Sequence, residues 1–416
     1  MNRFVAPALV LALSACGGTD DGLCDPTAVG TICTIAGIGQ DGYDGDDPVP
    51  ALDALMSLPT DTLAGPDGAL YVLDWNNHRL RRLDPDGMLR WVAGRGELGG
   101  TLDDPAQDDF NHPTGIIWDC ERGEDIVIAA WHNSKIRTLD LTTGLLVDTC
   151  GDGRRAYFGD EGPALTASLD LPTSLVCSPD GDLVVMDQAN QVIRRIDASG
   201  TIHRVAGNCI LDDPTSSGGP GECDTPVQCP GGSGKWTCGD PASTCDGTCS
   251  PAYNGDQVDA LAMRMAQPVG QSADPGGRLL YDPDGNLLFA DSANHVIRRL
   301  APDGTVTRIA GTPREHGYSG DGGPATDARL NHPTDLALAD DGTLYFSDVY
   351  NHCIRAIAPD GTIDTLAGQC GQNGFAGDGE DPRLALLKLP MGIEWSNGVL
   401  TIADSGNDRI RSIVLE

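Results

Sequence analysis

Positive charge is what this chain has least of. Against 61 aspartates and glutamates stand only 27 lysines and arginines, for a formal charge of −34. Such a surface repels phosphate backbones, which argues against nucleic acid as a partner. Long apolar runs are scarce as well. Past Ala15 none approaches the roughly 20 residues that a membrane-spanning helix needs. Linear catalytic motifs are absent: there is no HExxH, GxSxG or Walker sequence, and no Gly-x-Gly-x-x-Gly in a strand-to-helix context. An active site, if the chain has one, would have to be assembled from residues far apart in sequence.

The N-terminus carries an address. Met1-Asn2-Arg3 supplies one positive charge, Phe4 to Leu13 is apolar, and Leu13-Ser14-Ala15-Cys16 precedes a polar GGTDDG. This is the layout of a secretory signal, too short to span a bilayer. Leu-Ser-Ala-Cys resembles the lipobox of bacterial lipoproteins. That resemblance implies cleavage before Cys16 and lipidation of its side chain, with the protein exported and lipid-anchored in the cell envelope, at the outer membrane. The expected division is a signal peptide over 1–15, a lipidated tether over 16–29 and one domain over 30–416.

Setting Cys16 aside leaves 14 − 1 = 13 cysteines, and in an oxidising compartment most should pair. Cys209, Cys223, Cys229, Cys238, Cys245 and Cys249 crowd into 209–250, a Gly/Pro/Ser-rich insert without periodic apolar pattern or histidine. Disulfides therefore fit it better than a zinc site. Cys24 with Cys33, and Cys353 with Cys370, are local candidates. Cys120, Cys150 and Cys177 cannot all pair among themselves.

Glycine and proline are plentiful, 54 and 28 residues, about a fifth of the chain together. That composition suits an all-β chain with many turns and argues against long helices. The stretch from Pro333 shows the unit: TDLALA, TLYFS, CIRAIA and TIDTLA, separated by Asp340-Asp341-Gly342, Asn351-His352 and Pro359-Asp360-Gly361. Short apolar runs closed by Asp-Gly or Pro-Asp-Gly read as a four-stranded antiparallel meander. Copies open at Pro59, Pro113, Pro172, Pro268, Pro333 and Pro390, and the long third step, from Pro172 to Pro268, holds the cysteine-rich insert. The last copy stops at Glu416 after three strands. Its missing fourth strand matches Gly30 to Gly37, so the termini share a closing blade, which removes the open edges that a linear array would keep.

The recurring Asp-x-x-Asn-His-x-Ile-Arg frame resembles the NHL repeat. It stands here as Asn77-His78, Asn294-His295 and Asn351-His352, and varies as Asn190-Gln191, Asn407-Asp408 and His132-Asn133. The resemblance implies a six-bladed β-propeller of four-stranded antiparallel blades, whose members mostly bind other molecules. It also implies a competing class, metal-dependent hydrolases or lyases with a site in the central channel.

Repeated residues are read as structural, since a feature of every blade serves what every blade needs. This covers Asp74, Asp187, Asp291, Asp348 and Asp404 after strand two, and Arg81, Arg194, Arg298, Arg355 and Arg411 on strand three. It also covers a Tyr-x-Gly-Asp frame between blades, at Tyr43, Tyr157, Tyr253 and Tyr318, with Phe375 varying it. Its aspartates suggest calcium, which favours clustered oxygens, but matched positions on different blades do not converge, and local turn bonding is the better reading. No cofactor is expected. Function is sought in what does not repeat: Trp75, Trp131, His132 and Tyr350, aromatic residues in the loops joining strands two and three. The expectation is a monomeric binding or scaffold module for an extracellular protein, peptide or glycan, touching membrane only through its anchor.

Overall fold

The computed structural model describes residues 24–96, 110–208, 253–269 and 273–415. Every sheet in it is an antiparallel meander, and there are six. Blade five runs Pro333–Leu338, Leu344–Asp348, Cys353–Ile357 and Thr362–Ala367. The fold is a six-bladed β-propeller. Two compact units divide it: one holds blades five, six and one, the other blades two, three and four.

Burial explains the strand sequences. The second strands LYVLD, IVIAA, LVVMD, LLFAD and LYFSD are buried along their whole length, so both of their faces carry apolar residues. The fourth strand of blade five is more open: Thr362–Ala367 buries Ile363 and Ala367 while Asp364 faces water. Within each unit the blades pack face to face. Ile32, Ile354, Ile393, Leu400 and Ile413 share one core between blades five and six, and Val184, Met186, Met263, Phe289 and Val306 share another between blades three and four.

Blade six is closed as the sequence indicates. Ile32–Ala36 pairs antiparallel with Arg409–Val414, Ile32 opposite Ile413 and Thr34 opposite Arg411. Four blades gain a two-residue outer strand from the preceding linker: Val49–Pro50, Gly162–Pro163, Val258–Asp259 and Gly323–Pro324. In blade six the same role falls to residues 379 and 380, where Gly379 N–H donates to Ile32 O and Ile32 N–H to Glu380 O. The linkers of blades one, three and five then press an Ala-x-x-Ala pair into the blade, Ala51 with Ala54, Ala164 with Ala167 and Ala325 with Ala328, and Gly320 makes room for the last of these. At φ +100° a Cβ there would stand 2.8 Å from Ala328 Cα.

One expectation needs correction. Pro268 does not open a strand: the first strand of blade four is Leu279–Tyr281, only three residues. Pro268 nonetheless keeps the blade-opening position, because its carbonyl accepts from Gln188 of blade three at 2.7 Å as Pro59 O accepts from Ser405 of blade six at 2.5 Å. Extra chain after Pro268 displaces the strand, not the blade.

Candidate functional site

In five blades the loop between strands two and three is a single 3-10 turn, in blade three it is a hydrogen-bonded turn over 188–191, and all six end in a left-handed residue. His78, His295, His352 and Asp408 close four of these turns at φ between 52° and 59°. Gln191 at 57° and Ser134 at 53° close the other two. A non-glycine residue there is strained by roughly 1–2 kcal/mol, so something must hold it.

Below the turn sits a polar node. Asp348 is wholly buried; its carboxylate accepts Asn331 N–H at 2.6 Å and Asn351 Nδ2 at 2.8 Å, with Arg355 Nη1 at 3.8 Å. Asp74, Asp187, Asp291 and Asp404 each accept a linker amide and the loop asparagine in the same way. Burial pushes these carboxyls up, Asp74, Asp291, Asp348 and Asp404 to about 6 and Asp187 to about 7, against the pull of their Arg and Asn partners. The arginines carry on to the Tyr-x-Gly-Asp frame. Arg355 reaches Asp321 at 2.6 Å, Arg411 reaches Asp378 at 2.6 Å and Arg194 reaches Asp160 at 2.7 Å, each passing about 5 Å from the frame's aromatic ring. Asp160 and Asp321 also accept the tyrosine hydroxyl of their frame, and Asp321 the amide of Thr365, whereas Asp378, beside Phe375, meets Arg411. Among the described residues no three His, Cys, Asp or Glu side chains converge as a metal-ligand set.

The left-handed residue itself reaches out of its blade. His352 Nδ1 accepts the amide of Leu389 at 3.2 Å, His78 Nδ1 that of His112 at 3.1 Å, Gln191 Oε1 that of Gln267 at 2.7 Å and Asp408 Oδ1 that of Leu58 at 2.9 Å. Each donor directly precedes a blade-opening proline. These contacts were not legible in the sequence, which shows the histidines only as a turn.

The four irregular aromatics fare differently. Tyr350 is 40% exposed, its ring stacked on His332 at 4.8 Å. Trp75 is half-buried and tilts against His112 at 4.6 Å. Trp131 is fully buried, with His132 stacked on it at 4.3 Å, so His132 and not the indole is what that loop presents. The sequence missed the pre-proline histidines as partners; Asn-His-Pro at 111–113 and 331–333 was the available signal.

Cys24 pairs with Cys33, Cys353 with Cys370 and Cys120 with Cys177, the last joining blades two and three. Cys150 is buried and free, its thiol pushed up to about 12 by burial. Cys16 and the six insert cysteines lie outside the described residues.

Residues 310–374, which span the turns and node of blade five, match the family model of the teneurin NHL domain. That stretch is similar to a teneurin NHL domain, and the fold around it is a six-bladed β-propeller. Mouse teneurin-1 is 24% identical over 358 residues, 74% of this propeller's chain but 12% of the teneurin, so the chain spans about an eighth of that relative's length. The Arabidopsis thaliana chloroplastic protein Suppressor of Quenching 1 is 26% identical over 338 residues, 78% of this chain and 27% of its own. Among solved structures, a Bacteroides thetaiotaomicron protein of unknown function aligns at TM-score 0.60 with 14% identity, over 92% of this chain and 74% of its own. An auxiliary nutrient binding protein of the same organism aligns at 0.59 with 15% identity, over 92% and 75%. At such identities these structures establish the propeller fold and nothing more.

Proposed function

We propose that the chain is an exported binding module that holds an extracellular protein, peptide or glycan on its strand-two-to-three loops. The observation that carries this is Tyr350. It departs from the repeat, lies open to solvent, and is braced from below by His332. A rigid, half-exposed aromatic ring loses little conformational entropy on contact, which makes it an effective anchor for a peptide side chain or a sugar face. Trp75 and His132 stand in the corresponding loops of blades one and two. The three disulfides suit an oxidising compartment. The nutrient-binding role in the name of one fold neighbour is in keeping with the reading.

Thermal-shift and calorimetric titration of the purified protein against a panel of neutral oligosaccharides and a panel of peptides tests it. A ligand that binds the native state raises Tm with concentration. At least one probe should do so, and Tyr350→Ala should abolish the shift without changing the melting temperature of the free protein. No shift from either panel, or full binding by Tyr350→Ala, contradicts the proposal. We also infer lipid anchoring at Cys16. Expressed in a Gram-negative host, the protein should fractionate with membranes and Cys16→Ser should leave it soluble; a membrane-bound Cys16→Ser variant sinks that inference.

A further inference from the structure

We propose that two contacts on this loop side, His352 with Leu389 and His78 with His112, are acid-released latches, while their counterparts at Gln191 and Asp408 stay shut. In each, the donor is a backbone amide, which can only donate. The acceptor is a ring Nδ1, at 3.2 Å for His352 and 3.1 Å for His78. The bond therefore exists only while Nδ1 lacks a proton and Nε2 carries the hydrogen. Protonation turns the acceptor into a second donor facing the first. It leaves the amides of Leu389 and His112 without that partner, at residues held in the left-handed region with φ of 47° and 56°. The chain contains its own control: Gln191 and Asp408 do the same work for Gln267 and Leu58. A glutamine does not titrate, and a carboxyl keeps an accepting oxygen even when protonated.

Titratable and charged groups face both rings among the described residues. Exposed Lys388, on the linker that Leu389 continues, faces His352, and the histidine's own turn brings Asp348, engaged by Asn351, Asn331 and Arg355. His78 meets the His112 ring at 4.3 Å, and its own loop brings buried Asp74 and Arg79, the arginine tied to Gly94 O, Arg95 O and Asp46. Burial, reinforced by Lys388, holds His352 below the usual imidazole value. A depressed histidine contributes stability that is complete above the unfolded value near 6.5 and is lost as pH falls through the folded one. The latches are shut at neutral pH and open in acid.

The consequence for binding rests on the function proposed above. Tyr350 lies in the turn that His352 closes, and the Trp75 ring packs on His112. Acid would loosen both anchors together and favour release.

Amide hydrogen exchange on the ligand-free protein tests the latches independently of any binding. As pH is lowered from about 7.5 through the titration of each ring, protection factors at Leu389 and His112 should fall about tenfold, and those at Gln267 and Leu58 should hold. His352→Gln, which copies Gln191, should make Leu389 insensitive to pH and leave the response at His112. Parallel change at all four amides, or a wild-type response at Leu389 in His352→Gln, overturns the proposal. If that variant does not fold, imidazole 15N shifts of the wild type decide. Nδ1 of His352 should be unprotonated at about pH 7.5 and gain its proton over the range in which Leu389 loses protection; a ring doubly protonated at the start, or neutral throughout, overturns it.

Discussion

Asp348 and Arg355 show what a buried charge needs in order to persist. The carboxylate is fully desolvated, yet it receives an amide, an asparagine and the guanidinium. Removing one member strands the other: Asp348→Ala should cost about 3–5 kcal/mol, while Asp360→Ala on an exposed turn should leave the unfolding midpoint close to that of the parent protein. Urea unfolding of the two variants gives the comparison. The same burial sets an acid–base signature. Asp348 and Asp404 should titrate near 6 in carboxyl 13C shifts, whereas Asp360, held down by Thr362, should titrate below its usual value. A raised carboxyl favours the folded chain fully below its unfolded value of 3.8, and that advantage is lost as pH rises through about 6. Sequence showed these residues as repeats, and their repetition was the clue that they serve folding. It did not show the histidine acceptors, because a hydrogen bond to the next blade leaves no periodic trace.

Within a blade, one place at the start of strand three is secured by different chemistry in different copies. In blade five Cys353 is bonded to Cys370, 17 residues on. In blade one Arg79 reaches the carbonyls of Gly94 and Arg95, and in blade six Arg409 reaches Ile38 O while lying 3.6 Å over Phe375. All three tie strand three to the chain leaving strand four. Cys353→Ala with Cys370→Ala should therefore lower stability by about 3 kcal/mol, the entropy of a loop of that length, with blade five alone losing exchange protection. Loss of protection spread evenly over all blades would contradict this. Strands of five or six residues closed by Asp-Gly were legible. The two-residue outer strands were not, since Val49–Pro50 or Gly323–Pro324 is too short to carry a pattern, and Leu279–Tyr281 was misplaced because an insertion separates it from its proline.

Across the whole chain, closure of blade six by Ile32–Ala36 was readable from the missing fourth strand, a deficit at one terminus filled at the other. Deleting residues 24–36 should expose the edge of Arg409–Val414 and give a soluble-aggregate peak in size-exclusion chromatography. Recognition was the part least legible, because an aromatic residue in a loop looks alike in sequence whether buried, as Trp131 is, or open, as Tyr350 is. The division between residues that repeat and fold, and residues that differ and bind, is tested most directly by a photo-crosslinking amino acid placed at position 350 in living cells, against the same residue at position 360. The expected result is a discrete adduct from position 350 that position 360 does not give. Adducts of equal yield and identity at both positions, or none from position 350, would contradict the account.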